Sequence, residues 1–138
     1  MRKNNFPKQK IKNKMHKRNL IYIAEDQNNL RSSVSEVIKE TFQDYSVKSF
    51  DNGASLYKNI LENNRNLELV LTDNKMPLID GIKVIKKCSK LYPEVDFILM
   101  SGNKLNAKAI NAGAKEFLKK PFSVKDLIQT LSKYLIKK

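Results

Sequence analysis

Three carboxylates, one hydroxyl and one ammonium have the means to do chemistry together in this chain: Glu25 and Asp26, Asp73, Ser101, and Lys120. Each adjoins a short run with strand character. Leu20–Ala24 precedes the acidic pair, Leu67–Thr72 precedes Asp73, Val95–Met100 precedes Ser101, and Glu116–Leu118 runs into Lys119-Lys120-Pro121. If these runs are parallel strands, their carboxyl ends share one rim and the five groups converge there. Crowded carboxylates raise one another's proton affinity unless a cation lies among them. A hard, oxygen-liganded ion such as Mg²⁺ resolves that crowding, keeps several waters and awaits a phosphate. Ser101 and Lys120 are then expected to donate to phosphoryl oxygens. Moving a phosphoryl group onto a carboxylate needs little beyond positioning, a metal and fixed positive charge. The expected chemistry is an aspartyl phosphate at Asp73.

The elements that must position these groups are legible from periodicity. Leu30, Val34, Val37, Ile38 and Phe42 recur at helical spacing after the first strand, and Tyr45–Phe50 alternates as a second. Asn52-Gly53 opens a helix carrying Leu56, Ile60 and Leu61. Met76-Pro77 and Asp80-Gly81 supply turn chemistry after Asp73, and a helix from about Ile82 to Leu91 is stopped by Pro93. Asn106–Ala112 is a short helix ended by Gly113, and Val124 to Ile136 is a final amphipathic helix with Leu127, Ile128, Leu131, Tyr134 and Leu135. Five strands alternating with five helices predict an α/β fold, a parallel sheet covered on both faces.

Composition narrows the classes. A chain of 138 residues suits one packed domain. Its apolar runs are far shorter than the roughly 20 residues a membrane helix needs, and no apolar block follows the basic N-terminus. A soluble, cytoplasmic protein is expected. The lone Cys88 and lone His16 build neither a disulfide framework nor a Cys/His zinc site. Cys88 falls on an apolar stripe with Ile85 and Leu91 and reads as packing. Of the net charge of +13, residues 1–18 contribute eight Lys or Arg and no acid. That segment could touch an anionic surface, be a solvated leader, or precede a natural start at Met15.

Taken with their order and spacing, these motifs resemble the receiver domain of two-component response regulators over residues 19 to about 136. Glu25 and Asp26 match the family's acidic pair, Asp73 its phosphoacceptor, and Met76-Pro77 with Asp80-Gly81 the turn that follows. Ser101 matches the Ser/Thr after strand four, Phe117 the switch aromatic, and Lys120-Pro121-Phe122 the Lys-Pro-Phe element with its cis Lys-Pro bond. The resemblance implies a doubly wound, flavodoxin-like sheet in strand order 2-1-3-4-5. It also implies Mg²⁺ held by Asp26, Asp73 and the backbone carbonyl of Lys75, with Glu25 acting through water. Residues 1–18 would be a flexible extension and 19–138 the receiver domain.

Glu25 stands where Asp is usual, Phe117 lacks the hydroxyl of Tyr, and Ser101 lacks the methyl of Thr. Lys75 and Asn103 occupy positions that, by the resemblance, tune the lifetime of the acyl phosphate. The implied function is a single-domain phosphorelay receiver, not a turnover enzyme. A histidine kinase or histidine phosphotransfer protein would donate, and Ser101 and Phe117 would switch the surface of helix four, strand five and helix five. Lys104, Lys108, Lys115 and Lys125 lie on or near that surface and suggest a downstream protein, itself unidentified, with an acidic or mixed surface. After Lys138 no chain remains for a DNA-binding output domain, so a monomer or a phosphorylation-dependent dimer is expected. Two rival classes remain: a receiver fold that binds partners without phosphorylation, and a nucleic-acid or membrane-surface binder using the basic tail. Isolated pieces have plainer explanations, since a Met-Pro or Asp-Gly pair is ordinarily just a turn and an aromatic in a short strand is ordinarily core.

Overall fold

The computed structural model describes residues 18–135, so most of the expected basic extension, with His16, and Ile136 lie outside the described residues. Strands β1 (Leu20–Ala24), β2 (Ser46–Phe50), β3 (Leu67–Asp73), β4 (Asp96–Ser101) and β5 (Glu116–Lys119) form one sheet. They alternate with helices α1 (Asn28–Thr41), α2 (Gly53–Asn63), α3 (Gly81–Cys88), α4 (Asn106–Ala112) and α5 (Val124–Ser132). Every strand pair is parallel and the order is β2-β1-β3-β4-β5, as the resemblance implied.

The inner strands read as unbroken apolar runs because both of their faces are covered. Alternate residues go to opposite layers. Ile21, Ile23, Leu69, Leu71, Ile98 and Met100 pack with Val34 and Ile38 of α1 and Leu127 and Leu131 of α5. Tyr22, Ala24, Val70, Phe97 and Leu99 pack instead with Leu56 and Ile60 of α2, Val84, Ile85 and Cys88 of α3, and Ala109 and Ala112 of α4. All seven residues of β3 are buried, including its terminal Asp73.

Local signals start and stop the helices. The Asn52 side chain accepts from Ser55 N at 2.8 Å, and Ser123 with Asp126 forms a reciprocal capping box on α5. Gly113 ends α4 at φ 119°, where a Cβ would also collide with the Ser89 hydroxyl.

Three expectations need correction. The third helix ends at Cys88, not near Leu91, and the turn after it leaves Leu91 61% exposed. Tyr92 packs against the core in its place, its N–H donating to the Cys88 carbonyl at 2.9 Å. Leu61 is exposed, because the buried stripe of α2 is Leu56 and Ile60. Helix α5 closes at Ser132, yet Tyr134 and Leu135 continue its apolar side through a turn bonded to the Leu131 carbonyl.

Candidate functional site

Strand register brings the site together. Ala24 pairs with Thr72, Asp73 with Met100, and Ser101 with Lys119, so the carboxyl ends of β1, β3, β4 and β5 lie side by side. The residues just beyond these ends form the rim. Glu25 N donates to the Phe50 carbonyl at 3.0 Å, and Lys120 N donates to the Ser101 carbonyl at 2.9 Å, so both follow-on segments are tied to neighbouring strands.

At the centre is a shared ammonium. Lys120 Nζ lies 2.8 Å from Glu25 Oε1 and 3.2 Å from Asp73 Oδ2. Glu25 Oε2 accepts from Gln27 N at 3.1 Å, and Asp73 Oδ1 accepts from Asn74 N at 2.9 Å. Each of these two carboxylates is therefore oriented through both oxygens. Glu25, Asp26 and Asp73 each offer one oxygen within a 4.8 Å cluster. Glu25 and Asp73 are buried, whereas Asp26 faces solvent.

Burial and the facing Glu25 charge push the Asp73 carboxyl above its ordinary value, although Lys120 and the Asn74 N–H pull the other way. Burial alone would lower Lys120, but its hydrogen bond to Glu25 and the charge of Asp73 carry it above the ordinary lysine value. Lys120 thus pairs with two carboxylates, and the third, Asp26, shares their oxygen cluster. All the donors are hard oxygens, and one of them is open to solvent, which is the chemistry a partly hydrated divalent ion requires. The residues fit a hard divalent cation.

The other expected residues fall around this centre. Ser101 is buried, and its Oγ accepts from the backbone N–H of Asn103 at 3.1 Å. Lys75 is exposed on the loop after Asp73, and Phe117 is half-buried on β5 against the α2–α4 layer. The Lys120-Pro121 bond is cis, as implied.

One contact lies beyond the expected roles of Glu25 and Lys120: the two side chains pair directly, at 2.8 Å. Sequence reasoning also missed Asn74. Its side-chain Oδ1 accepts from Ile82 N at 3.0 Å, and its carbonyl accepts from Gly81 N at 2.8 Å. With its own N–H on Asp73, Asn74 ties the nucleophile to the first turn of α3. Gly81 is needed for this closure, since a Cβ there would collide with the Asp73 carbonyl. An Asn beside the strand-terminal Asp was the only available signal. Met76, read as part of a turn, is a buried core residue under the loop.

Residues 21–132 match the family model of the response regulator receiver domain. The chain belongs to that family. It is 32% identical over 121 residues to the response regulator receiver protein CpdR of Brucella abortus, covering 84% of this chain and 96% of that protein. It is 29% identical over 119 residues to the transcriptional regulatory protein YesN of Bacillus subtilis, covering 83% of this chain but only 32% of that longer protein. A response regulator receiver domain protein from Clostridium thermocellum superposes with a TM-score of 0.76 at 21% identity, covering 84% of this chain and 93% of that one. Among the described residues no helix is long and apolar enough to cross a membrane.

Proposed function

We propose that this receiver domain accepts a phosphoryl group on Asp73 from a phosphohistidine of a histidine kinase or histidine phosphotransfer protein. The observation that carries this reading is the Lys120 ammonium bridging Glu25 and Asp73, with Asp26 in the same oxygen cluster. An Asp73 oxygen forms the new bond to phosphorus as the phosphorus–nitrogen bond to the donor imidazole breaks, and that imidazole leaves with the electron pair and takes up a proton. Bound Mg²⁺, held by Asp26 and Asp73 with Glu25 and the Lys75 carbonyl beside it, would supply positive charge to the phosphoryl oxygens. Lys120 exchanges its contact with Asp73 for the phosphoryl group while keeping Glu25. The Asn74 N–H holds the carboxylate in orientation, and the Ser101 hydroxyl turns from Asn103 toward the new charge.

Movement of Ser101 frees space beside β4 for Phe117, which changes the surface of α4, β5 and α5. That surface presents Lys108 and Lys125, with Lys104 and Lys115 beside it, all exposed, although Lys115 also pairs with Asp96 at 2.8 Å. An acidic downstream protein fits there. Lys75 and Asn103 flank the phosphoryl position and set its lifetime. The match to CpdR over 96% of that protein supports a single-domain receiver; on this reading it is a cytoplasmic switch that assists its own phosphorylation and is not a turnover enzyme. Treatment with acetyl phosphate and Mg²⁺, then borohydride, tests the assignment. The reduced product should map by peptide mass to Asp73, and mapping to Asp26 or to no acidic residue would refute it.

A further inference from the structure

The folded domain does not spread its charge evenly. Helices α2, α3 and α4 carry five lysines against Glu62, and Lys90 follows directly after α3. Asp80 stands at the N-cap of α3, and Glu94, further along the connection to β4, pairs with Arg18. On the opposite side of the sheet, α1 carries two bases and two acids, and α5 carries one of each. The three-helix layer is thus the basic side of the domain.

Its centre is α3. Gly81, Val84, Ile85 and Cys88 form the buried stripe of that helix. Lys83, Lys86, Lys87 and Lys90 fall at i, i+3, i+4 and i+7, and all four are exposed. Lys58 on α2 and Lys108 on α4 flank the stripe, and both are exposed. Lys87 lies 5.8 Å from the centre of the Tyr57 ring of the neighbouring α2. Large apolar side chains stand out among these lysines: Leu61, Leu91 and Ile110 are 42%, 61% and 51% exposed.

We infer that the α2–α3–α4 face is a docking surface for an anionic lipid bilayer. The composition selects this occupant. The three helices carry lysine and no arginine, which removes the bidentate fork suited to base edges and phosphate recognition. Tyr57, the one aromatic on them, is only half-exposed and lies under Lys87, so bases find no open stacking platform. Protein interfaces are anchored by aromatic side chains and arginine; α3 carries neither, whereas the α4–β5–α5 surface has Phe117 beside its lysines. Lysines mixed with exposed aliphatic side chains are instead what an interfacial membrane surface uses, the ammonium groups meeting acidic headgroups while Leu and Ile enter the boundary. Its lysines are other than those of residues 1–18 and other than Lys120 at the rim.

The test is co-sedimentation of the full chain with phosphatidylglycerol-containing or pure phosphatidylcholine vesicles. The stripe variant is Lys83→Gln/Lys86→Gln/Lys87→Gln/Lys90→Gln. A control of equal charge loss is Lys39→Gln/Lys48→Gln/Lys119→Gln/Lys125→Gln. A third variant neutralises Lys8, Lys10, Lys12 and Lys14. Each lysine near an anionic surface contributes about fivefold to partitioning, so the stripe variant should lose roughly a hundredfold or more on acidic vesicles. The control should lose less than tenfold, and circular dichroism should show all variants folded. The inference is overturned if the wild type ignores acidic vesicles or binds neutral ones equally. It is also overturned if the control or N-terminal variant loses as much as the stripe variant, or if a DNA duplex competes the protein off vesicles through the same four lysines.

Discussion

Replacing Lys120 by Met removes the one ammonium that Glu25 and Asp73 share and keeps most of the side-chain volume. What remains is a pair of buried carboxylates, Glu25 at 1% exposure and Asp73 at 7%, facing each other without a counter-ion. Breaking a fully buried ion pair by deleting one partner costs about 3–5 kcal/mol. The Lys120 side chain is 23% exposed, so water offsets part of that loss. Both carboxylates also keep one backbone N–H donor, from Gln27 and Asn74. The expected cost in metal-free buffer at neutral pH is therefore about 2–3 kcal/mol. Urea unfolding followed by circular dichroism, with a chelator present, measures it directly. The double variant with Glu25→Gln should recover about 1–2 kcal/mol of that cost, because it removes the stranded charge. Added Mg²⁺ should raise the stability of Lys120→Met by more than that of the wild type, since the freed carboxylates then bind the ion without a competing ammonium. A Lys120→Met variant within 0.5 kcal/mol of wild type, with no extra response to Mg²⁺, would refute the reasoning.

Other outcomes follow from the same geometry. Gly81→Ala drives a Cβ into the Asp73 carbonyl and should cost about 1–3 kcal/mol by urea unfolding, with Asp73 phosphorylation slowed because the Asn74 closure shifts. Burial pushes the Cys88 thiol up to about 11, so native protein at pH 8 should resist a disulfide reagent that labels it readily in urea. The unfolded thiol loses its proton first, near 9, so that contribution to stability is intact below pH 9 and falls as pH rises toward 11. Thermal midpoints across this range should fall less steeply in Cys88→Ala. Lys75→Ala should change the dephosphorylation rate while leaving phosphorylation possible, and decay at the wild-type rate would show that Lys75 does not shield the acyl phosphate.

The fold was open to reading because each central strand is buried on both faces and advertises itself as a short apolar run between turn signals. Polar groups after such runs have nowhere to lie but the rim, so the convergence of Glu25, Asp26, Asp73, Ser101 and Lys120 was accessible without a structure. Pairwise contact inside the rim was not. That Lys120 would pair with Glu25 at 2.8 Å as well as with Asp73 at 3.2 Å depends on register between strands distant in sequence. Asn74 escaped notice because its role is made by backbone and side-chain bonds to the start of α3, which carry no periodicity. Helix ends were the weakest readings: Leu91 continues the apolar spacing of α3 on paper, but the chain turns after Cys88 and Tyr92 takes the core position. The lysine stripe on α3 was present in the sequence throughout, and acquired meaning only when its four members proved exposed together on a layer otherwise nearly free of acid.

The most direct measurement is intact mass after incubation with Mg²⁺ and a small-molecule phosphodonor, with wild type beside Asp73→Asn. One phosphoryl adduct on the wild type, absent from the variant and abolished by chelation, is the predicted result. A folded wild type that takes up no adduct, or a variant modified as fully as the wild type, would contradict the assignment of Asp73 as the phosphoacceptor.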